Sequence, residues 1–279
     1  MAMQNHQADF YNKTYRRPNY FHYQSWLYEP YVSGLVKLCG LKEGSSVLDV
    51  GCGQGFFSYL FDKNGMRVHG IDLSETGIRK AQELYGHLGI TFAVSDIQTA
   101  KFPEQFDCMF VRSCSLYNTQ DFPHQNEVTH GLLRYLKAGG SFIFAYNSNL
   151  SSKKSPTWRY HSIEDVRRHF NGYSDQRVFF LNKITTYLLR TYSFTPFAKW
   201  CNVFLSKTFG LGGDVICILR KPQADQTGLG QPCNIEGALD GLGRAKVDVR
   251  DWKNVSEPQQ LGSVGQAVGP NLANLSNLA

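Results

Sequence analysis

Short apolar runs alternate with segments of helical spacing along residues 44–221. The runs are rich in β-branched and aromatic residues, and most of them end at Gly, Asp or Ser, as buried parallel strands do. The pattern predicts strands at 47–50, 67–72, 90–96, 105–113, 141–147, 177–181 and 213–220. Helical spacing at 128–137 predicts a helix that ends at the glycines that follow it. Alternation of strands and helices predicts an α/β fold.

The turn after the first strand has glycine at every second position, at Gly51, Gly53 and Gly55. Glycine is needed where φ is positive and where a ligand lies directly against the backbone. The helix that follows also directs free N–H groups at the turn. This segment is therefore a candidate ligand-binding loop.

Asp72 ends the second predicted strand, 17 residues after Gly55. Nucleotide-binding α/β folds place an acid at about this spacing, where it binds the ribose hydroxyls. The alternative for Asp72 is capping of the next helix, a role that Ser74 fills better. A dinucleotide fingerprint requires a third glycine where Phe56 stands, which disfavours nicotinamide and flavin cofactors.

Residues 48–55 and 70–74 resemble the first and second motifs of class I S-adenosylmethionine-dependent methyltransferases. The resemblance covers 44–148 well and continues loosely to 221. It implies a Rossmann-like, doubly wound, seven-stranded and mostly parallel sheet with an antiparallel last strand and helices on both faces. It also implies S-adenosylmethionine as the cofactor, bound by Asp49, Gly51, Cys52, Gly53, Gly55, Asp72, Leu73, Asp96 and Ile97.

Within this resemblance, Gly51, Gly53 and Gly55 hold the methionine part, Asp72 binds the ribose, and Asp96 with Ile97 frames the adenine. A turn residue is the alternative for Asp96. N-terminal elements close over the cofactor in similar enzymes. Tyr11 and Tyr15, in an aromatic-rich stretch, are the tyrosines expected to contact it, although helix packing explains such rings as well.

Methyl transfer requires alignment of two reactants and no protonation of the leaving group, so no motif identifies a catalytic residue. Arg112, at the end of the fourth strand, is our first candidate for binding a substrate acid or the cofactor carboxylate. Its alternative is an ion pair with a neighbouring strand-end carboxylate. His161 is the candidate base, ahead of His124 and His130, and its alternative is a surface residue before a helix cap.

Three regions follow from these patterns. Residues 1–43 are expected to form an aromatic-rich helical lid, and 44–221 the methyltransferase domain. Within that domain, 183–212 predicts a helical insertion broken near Pro196, which could be a substrate wall, a dimer contact or a membrane-surface patch; we favour the substrate wall. Residues 222–279 lack periodic apolar positions and predict a disordered extension.

The net charge of +6 combines −2 after residue 221 with +8 before it. A basic surface attracts an anionic substrate or nucleic acid, and solvated helices explain it equally well. Seven cysteines without paired spacing indicate neither zinc nor a disulfide framework. Because neither a signal peptide nor a run of transmembrane length is seen, a cytoplasmic location is expected.

We therefore expect transfer of a methyl group to an O or N atom of a small-molecule metabolite. The alternatives are an RNA or protein methyltransferase and a catalytically silent cofactor-binding protein of the same fold. Aminopropyl transfer is disfavoured, because a polyamine needs acidic residues and the catalytic region is basic. The sequence does not exclude nucleic acid as a partner, and it does not predict the oligomeric state.

Overall fold

The computed structural model describes residues 2–119, 121–151, 154–156, 158–173, 175–189 and 195–223, with side chains from residue 7 onward. They belong to a compact unit that extends over residues 1–226. The predicted disordered extension at 222–279 lies outside the described residues, apart from its first two positions.

Seven strands form one sheet in the order β3-β2-β1-β4-β5-β7-β6. They are Ser46–Val50 (β1), Arg67–Asp72 (β2), Thr91–Val94 (β3), Phe106–Arg112 (β4), Leu136–Asn147 (β5), Gln176–Leu181 (β6) and Asp214–Arg220 (β7). Neighbours among β1 to β5 pair in parallel, whereas β7 runs antiparallel to both β5 and β6. The predicted Rossmann-like α/β fold, mostly parallel with an antiparallel last strand, is confirmed.

Eight helices of the described residues surround the sheet. They are Ala2–Thr14 (α1), Ser25–Cys39 (α2), Phe56–Lys63 (α3), Glu75–Tyr85 (α4), Phe122–Leu133 (α5), Ile163–His169 (α6), Lys183–Leu189 (α7) and Pro196–Phe209 (α8). Short 3₁₀ turns occur at Gly86–Leu88 and Ser115–Asn118. In the described part of the chain, no helix combines the length and the apolar character needed to cross a membrane.

Neighbouring residues of the central strands belong to two separate cores, because side chains alternate between the faces of a sheet. Val47 packs with Tyr31 and Phe61 on the face covered by α2, α3 and α4. Leu48 packs with Leu132 on the opposite face, covered by α5 and α6. The central strands are mostly apolar because both faces of the sheet are covered.

The fifth strand begins earlier than its sequence predicts. Helix α5 ends at Leu133 rather than near residue 137, and β5 starts at Leu136 rather than at 141. Gly139 has φ of 73°, and the pairing of β4 with β5 shifts register between Phe106 and Cys108. The two glycines therefore form an irregularity within a longer strand instead of separating a helix from a strand.

The insertion between β6 and β7 consists of two helices, as its spacing predicts. Helix α8 begins at Pro196, and the Thr195 hydroxyl caps it by accepting from the Ala198 N–H at 3.2 Å. Helix α7 contacts both α2 and α8, and α8 contacts β6. Both helices lie at the β6 edge of the sheet, far along the strand order from β3.

The N-terminal region divides into two helices with different environments. Helix α2 is part of the core, since Tyr31, Val32 and Leu35 are almost completely buried. Helix α1 instead contacts α4, where Asn12 Oδ1 accepts from Ser74 Oγ at 2.7 Å and from the Thr76 N–H at 3.1 Å. Only α1 and the segment after it are therefore placed as a cover would be.

We expect Gly70→Ala to destabilise the fold by about 1–3 kcal/mol, because an added Cβ has no room in this packed site. It would lie 2.8 Å from the Phe92 ring and 3.0 Å from the Cys52 sulfur. Urea denaturation gives the free energy of unfolding. The matched control is Gly86→Ala, where the nearest atom is 4.0 Å from the added Cβ and the backbone is helical; equal effects of the two changes would contradict the packing argument.

Candidate functional site

A cavity of about 700 Å³ opens at the carboxyl ends of the parallel strands. Residues at the ends of β1, β2 and β4 line it. The helices that follow β1 and β2 cover one face of the sheet, and the helix that follows β4 covers the other face. Open α/β sheets bind ligands at such a switch between β1 and β4. Its lining includes Tyr11, Tyr15, Tyr23, Asp49, Gly51, Cys52, Gly53, Gln54, Asp72, Leu73, Ser95, Ile97, Gln98, Arg112, Ser113, Cys114, Ser115, His124 and Trp158.

The glycine loop is built from residues with positive φ, at 74° for Gly51, 54° for Gly53 and 81° for Gly55. Gly51 and Gly53 line the cavity, together with Cys52 between them. Gly55 lies behind them at the start of α3, where an added Cβ would be 2.9 Å from Ala81 Cβ. Packing against α4 therefore requires glycine at position 55, and Gly55 is not among the lining residues.

Asp72 is at the end of β2 and joins the loop to the second strand. Its Oδ2 accepts from the Gly53 N–H and its Oδ1 from the Ser74 N–H, both at 2.8 Å. The helix cap is Ser74, whose hydroxyl accepts from the Gly77 N–H at 3.0 Å. Burial raises the pKa of Asp72 to about 6, against the lowering effect of these two backbone donors.

Asp49 is a second carboxylate in the wall of the cavity, and it is 2% exposed. Ser58 Oγ donates to its Oδ2 at 2.6 Å. Burial and then the neighbouring charge of Asp72 raise the pKa of Asp49 to about 7, although the Ser58 hydrogen bond lowers it. A cationic ligand in this part of the cavity would stabilise both ionised forms, because opposite charge favours ionisation.

The segment after β3 brings apolar and amide side chains to the cavity. Ser95, Ile97 and Gln98 are lining residues, and Leu73 lines it from the end of β2. Asp96 is not among them, and its Oδ1 accepts from the Gln98 N–H at 2.9 Å in a turn. Asp96 is therefore a turn residue, which is the alternative role that its sequence position suggests.

Helix α1 lies over the glycine loop. Tyr11 and Tyr15 stack with ring centroids 5.6 Å apart, and both line the cavity. The Tyr15 hydroxyl is 2.8 Å from the place that a Cβ on Gly53 would occupy, so only glycine allows this approach. Burial first, and the charge of Asp72 as well, raise the pKa of both phenols, which are therefore protonated at neutral pH.

Gln54 holds the segment after α1 against the loop through three hydrogen bonds. Its Nε2 donates to the carbonyls of Tyr15 at 3.0 Å and Arg17 at 2.8 Å. Its Oε1 accepts from the Tyr20 N–H at 3.3 Å. A residue of the glycine loop thus holds in place the segment that covers this loop.

Arg112 lines the cavity but is committed to an ion pair. Its Nε and one terminal nitrogen donate to the two carboxylate oxygens of Asp214 at 3.0 and 3.3 Å. The other terminal nitrogen donates to the Tyr23 hydroxyl oxygen at 2.8 Å, and the guanidinium lies 4.8 Å from the centroid of the Phe57 ring. The alternative for Arg112 is therefore found, since Asp214 begins an antiparallel strand at the same edge of the sheet.

His161 is buried, so it is not the surface residue that the alternative interpretation expected. It is also not among the residues that line the cavity, where a base would have to be. It packs edge-on to Tyr146 at 5.0 Å. Burial and then the Arg159 charge lower the pKa of His161 to about 4, so the imidazole is neutral. His124 is the histidine that lines the cavity, with Nε2 2.8 Å from Gln98 Oε1.

Sequence reasoning assigned no role to Tyr23, Gln54 or Cys114, and each contributes to the cavity wall. Tyr23 and Gln54 find their partners far along the chain, which spacing does not show. Ser113 has φ of 49°, which is uncommon outside glycine. Backbone strain of this kind clusters at ligand sites, and the sequence carries no signal for it at a serine.

A family model described as a methyltransferase domain matches residues 41–190, more than half of the chain. The chain belongs to this family. Together with the sheet order and the glycine loop, the match confirms the expectation of a class I S-adenosylmethionine-dependent methyltransferase, with S-adenosylmethionine as the family's cofactor. The same match confirms the expectation that the chain is an S-adenosylmethionine-dependent methyltransferase and therefore an enzyme.

Curated relatives are similar over part of their length. Phosphoethanolamine N-methyltransferase of Triticum aestivum is 30% identical over 156 residues, which are 54% of this chain and 28% of the wheat enzyme. Ubiquinone biosynthesis O-methyltransferase of Azoarcus sp. is 34% identical over 111 residues, 38% of this chain and 46% of that protein. The chain thus spans less than half of either relative.

Solved structures share the fold at low identity. The Haemonchus contortus phosphoethanolamine N-methyltransferase 2 complex with S-adenosyl-L-methionine matches with a TM-score of 0.53 and 19% identity, over 76% of this chain and 60% of that chain. The plantazolicin methyltransferase BpumL matches with a TM-score of 0.53 and 16% identity, over 80% and 98%. These likenesses concern the fold alone.

We expect Asp214→Asn to destabilise the methyltransferase by about 3–5 kcal/mol, because it leaves the charge of Arg112 without its carboxylate partner. The Arg112 side chain is 12% exposed. Urea denaturation measures the loss.

The control is Glu83→Gln, which breaks the 2.7 Å pair with Lys80 on the exposed face of α4. Exposed pairs contribute about 0–1 kcal/mol. The interpretation fails if the two variants lose similar free energy.

Proposed function

We propose that this chain transfers a methyl group from S-adenosylmethionine to an O or N atom of a small-molecule metabolite held in the same cavity. The observation that supports the proposal is one continuous cavity of about 700 Å³ that extends from Asp72 and Ile97 to Arg112 and is covered by α1. Pockets for small ligands occupy about 300–1,000 Å³. A polymer would need a groove with an open path.

The cofactor end has the groups that this nucleoside requires. Gly51 and Gly53 offer bare backbone for the methionine part, and the Asp72 carboxylate accepts hydrogen bonds from the ribose hydroxyls. Leu73 and Ile97 supply apolar contacts for the adenine. Asp96 is next to Ile97 in the chain, but it is not a lining residue, so the adenine amine is not assigned to its carboxylate. Bound S-adenosylmethionine supplies an electrophilic methyl group on a positively charged sulfur.

Asp49 and Asp72 suit a cationic cofactor. Both carboxylates are buried and have raised pKa values, so part of each is protonated near neutral pH in the protein alone. The positive charge of the ligand lowers both pKa values by stabilising the ionised forms. Binding is then coupled to proton release from these two groups.

The acceptor end is polar but nearly neutral. Asp214 neutralises Arg112, and Arg112 in turn donates to the Tyr23 oxygen, so the Tyr23 proton is available to a ligand. Burial raises the pKa of Tyr23 to about 12 although the Arg112 charge lowers it. Tyr23 therefore acts as a hydrogen-bond donor, with Ser113 and Ser115 as further hydroxyls in the wall. Such groups orient an uncharged or weakly charged acceptor.

The chemical contribution of these residues is alignment. Placing two reactants in line in a closed site lowers the barrier by about 7–11 kcal/mol in the best intramolecular cases. The phenols of Tyr11 and Tyr23 are protonated, so neither removes a proton from the acceptor. An unprotonated amine needs no base, and such an acceptor fits this nearly neutral wall.

The first test is the affinity for S-adenosylhomocysteine by isothermal titration calorimetry. We expect Asp72→Asn to weaken binding by about 10- to 100-fold, because hydrogen bonds to a charged group contribute roughly 1.5–3 kcal/mol. Asp62→Asn, on α3, is the control and is expected to bind like the unaltered chain. Unchanged affinity of the Asp72 variant would refute the assignment of this carboxylate.

The acceptor class is tested with cofactor that carries a tritiated methyl group. The purified chain is incubated with a cell extract divided into small molecules, RNA and protein. Label in the small-molecule fraction is expected. Label in RNA or protein would replace the proposed substrate class, and tight cofactor binding without any labelled product would favour the silent cofactor-binding alternative.

We also propose that α1 and the segment after it act as the lid, with Gln54 as the clamp. Gln54→Ala removes three hydrogen bonds of about 1 kcal/mol each, some of them partly exposed to water. We expect about tenfold weaker S-adenosylhomocysteine binding and faster tryptic cleavage after Arg16, with little change in Tm.

Gln105→Ala is the control for the lid prediction. Gln105 donates to the Arg134 carbonyl at 3.2 Å on an exposed loop before β4, away from the cavity. If Gln54→Ala leaves both the affinity and the cleavage rate at the level of this control, the clamp has no role in covering the cofactor.

A further inference from the structure

Helix α8 has its polar and apolar faces in the reverse of the usual arrangement. The residues that it buries are Ala198, Asn202 and Ser206, spaced four apart and therefore on one side. Asn202 Oδ1 accepts from the Asn182 N–H at 2.9 Å, which anchors this small polar side at the end of β6. Four large aromatic residues of the helix are exposed instead, namely Phe197, Trp200, Phe204 and Phe209.

Three of these outward residues form a continuous aromatic strip. Phe197, Trp200 and Phe204 are 67%, 60% and 49% exposed and follow the spacing of one helix side. The centroids of successive rings are 6.3 and 5.1 Å apart, and both pairs are stacked. We call these three residues the α8 aromatic face. Contiguous exposed aromatic surface of this kind marks an interaction site.

The charged residues of the segment that carries this face all have the same sign. Residues 176–213 contain five basic residues and no Asp or Glu. Lys207 lies one turn beyond Phe204 on the same side of α8. Lys199 precedes Trp200 in the chain, and its ammonium lies 5.1 Å from the centroid of the Phe179 ring; both lysines are exposed. A symmetric dimer through this face would bring like charges together, which opposes association. An anionic surface is the complementary occupant.

We propose that the α8 aromatic face binds the surface of a membrane that contains anionic lipids. Aromatic side chains of a surface helix insert at the level of the headgroups, while lysines extend their ammonium groups to the lipid phosphates. Exposed Leu188 on the neighbouring α7 adds apolar area. No described residue of 183–212 lines the cavity, so the expected substrate wall is not found there and the insertion is available for this second role.

The proposal does not rest on the small-molecule function, because the face and the cavity share no lining residue. It is tested by cosedimentation of the full chain with vesicles of phosphatidylcholine alone and with phosphatidylglycerol added at three parts in ten. We expect binding to the mixed vesicles that falls when salt is raised to about 0.5 M, since salt screens exposed charges.

Two double variants separate the contributions. Trp200→Gln with Phe204→Gln should reduce partitioning at least tenfold. Lys199→Gln with Lys207→Gln should reduce it about fivefold per lysine on anionic vesicles only. The matched control is Leu88→Gln with Lys101→Gln, which removes an exposed leucine and an exposed lysine on either side of β3, at the opposite edge of the sheet. All variants should keep the S-adenosylhomocysteine affinity of the unaltered chain.

Three results would overturn the proposal. The first is failure of the full chain to sediment with the anionic vesicles. The second is equal sedimentation of the aromatic double variant and the control. The third is a dimer, seen by sedimentation equilibrium, that the aromatic substitutions convert to monomers while vesicles leave both forms in solution. A second copy of the chain would then be the partner of this face.

Discussion

The ion pair between Arg112 and Asp214 connects parts of the structure that lie 102 residues apart. Because β7 is antiparallel, its first residue reaches the edge at which β4 ends, and β5 lies between them. Tyr31 donates to the same Asp214 at 2.9 Å, so helix α2 is attached to the pair. Tyr23 accepts from Arg112. The buried carboxylate of Asp214 thus joins the end of β4, helix α2 and the part of the cavity wall that contains Tyr23.

The cavity combines two electrostatic environments on either side of the glycine loop. Beside the glycine loop, burial raises the pKa values of Asp49 and Asp72, and the charge of Asp72 raises the pKa of Asp49 further although the Arg112 charge lowers it. At the other end of the cavity, Arg112, which is the arginine among the described lining residues, is paired with Asp214. Such a division favours a cation on one side and an acceptor without strong charge on the other. This division is compatible with methyl transfer from a sulfonium, in which the positive charge leaves the sulfur during the reaction.

The insertion between β6 and β7 separates two tasks within one domain. Helix α7 completes the packing around α2, where Lys183 donates to the Tyr28 hydroxyl at 3.0 Å. Helix α8 uses its small residues for packing and leaves its aromatic residues exposed. A helix that buried its aromatic side would gain more apolar burial. The membrane surface proposed above would cover the aromatic side.

The sequence determined the strand order along the chain, the glycine loop and the acid at the end of β2, because these depend on local periodicity and on glycine's freedom at positive φ. It also determined the break at Pro196. Only the tertiary structure decided that Gly55 serves packing, that Arg112 pairs with Asp214, that Gln54 holds residues 15–20 and that His161 is buried outside the cavity. Each of these depends on partners distant along the chain, and the pattern of neighbouring residues carries no record of which segments meet.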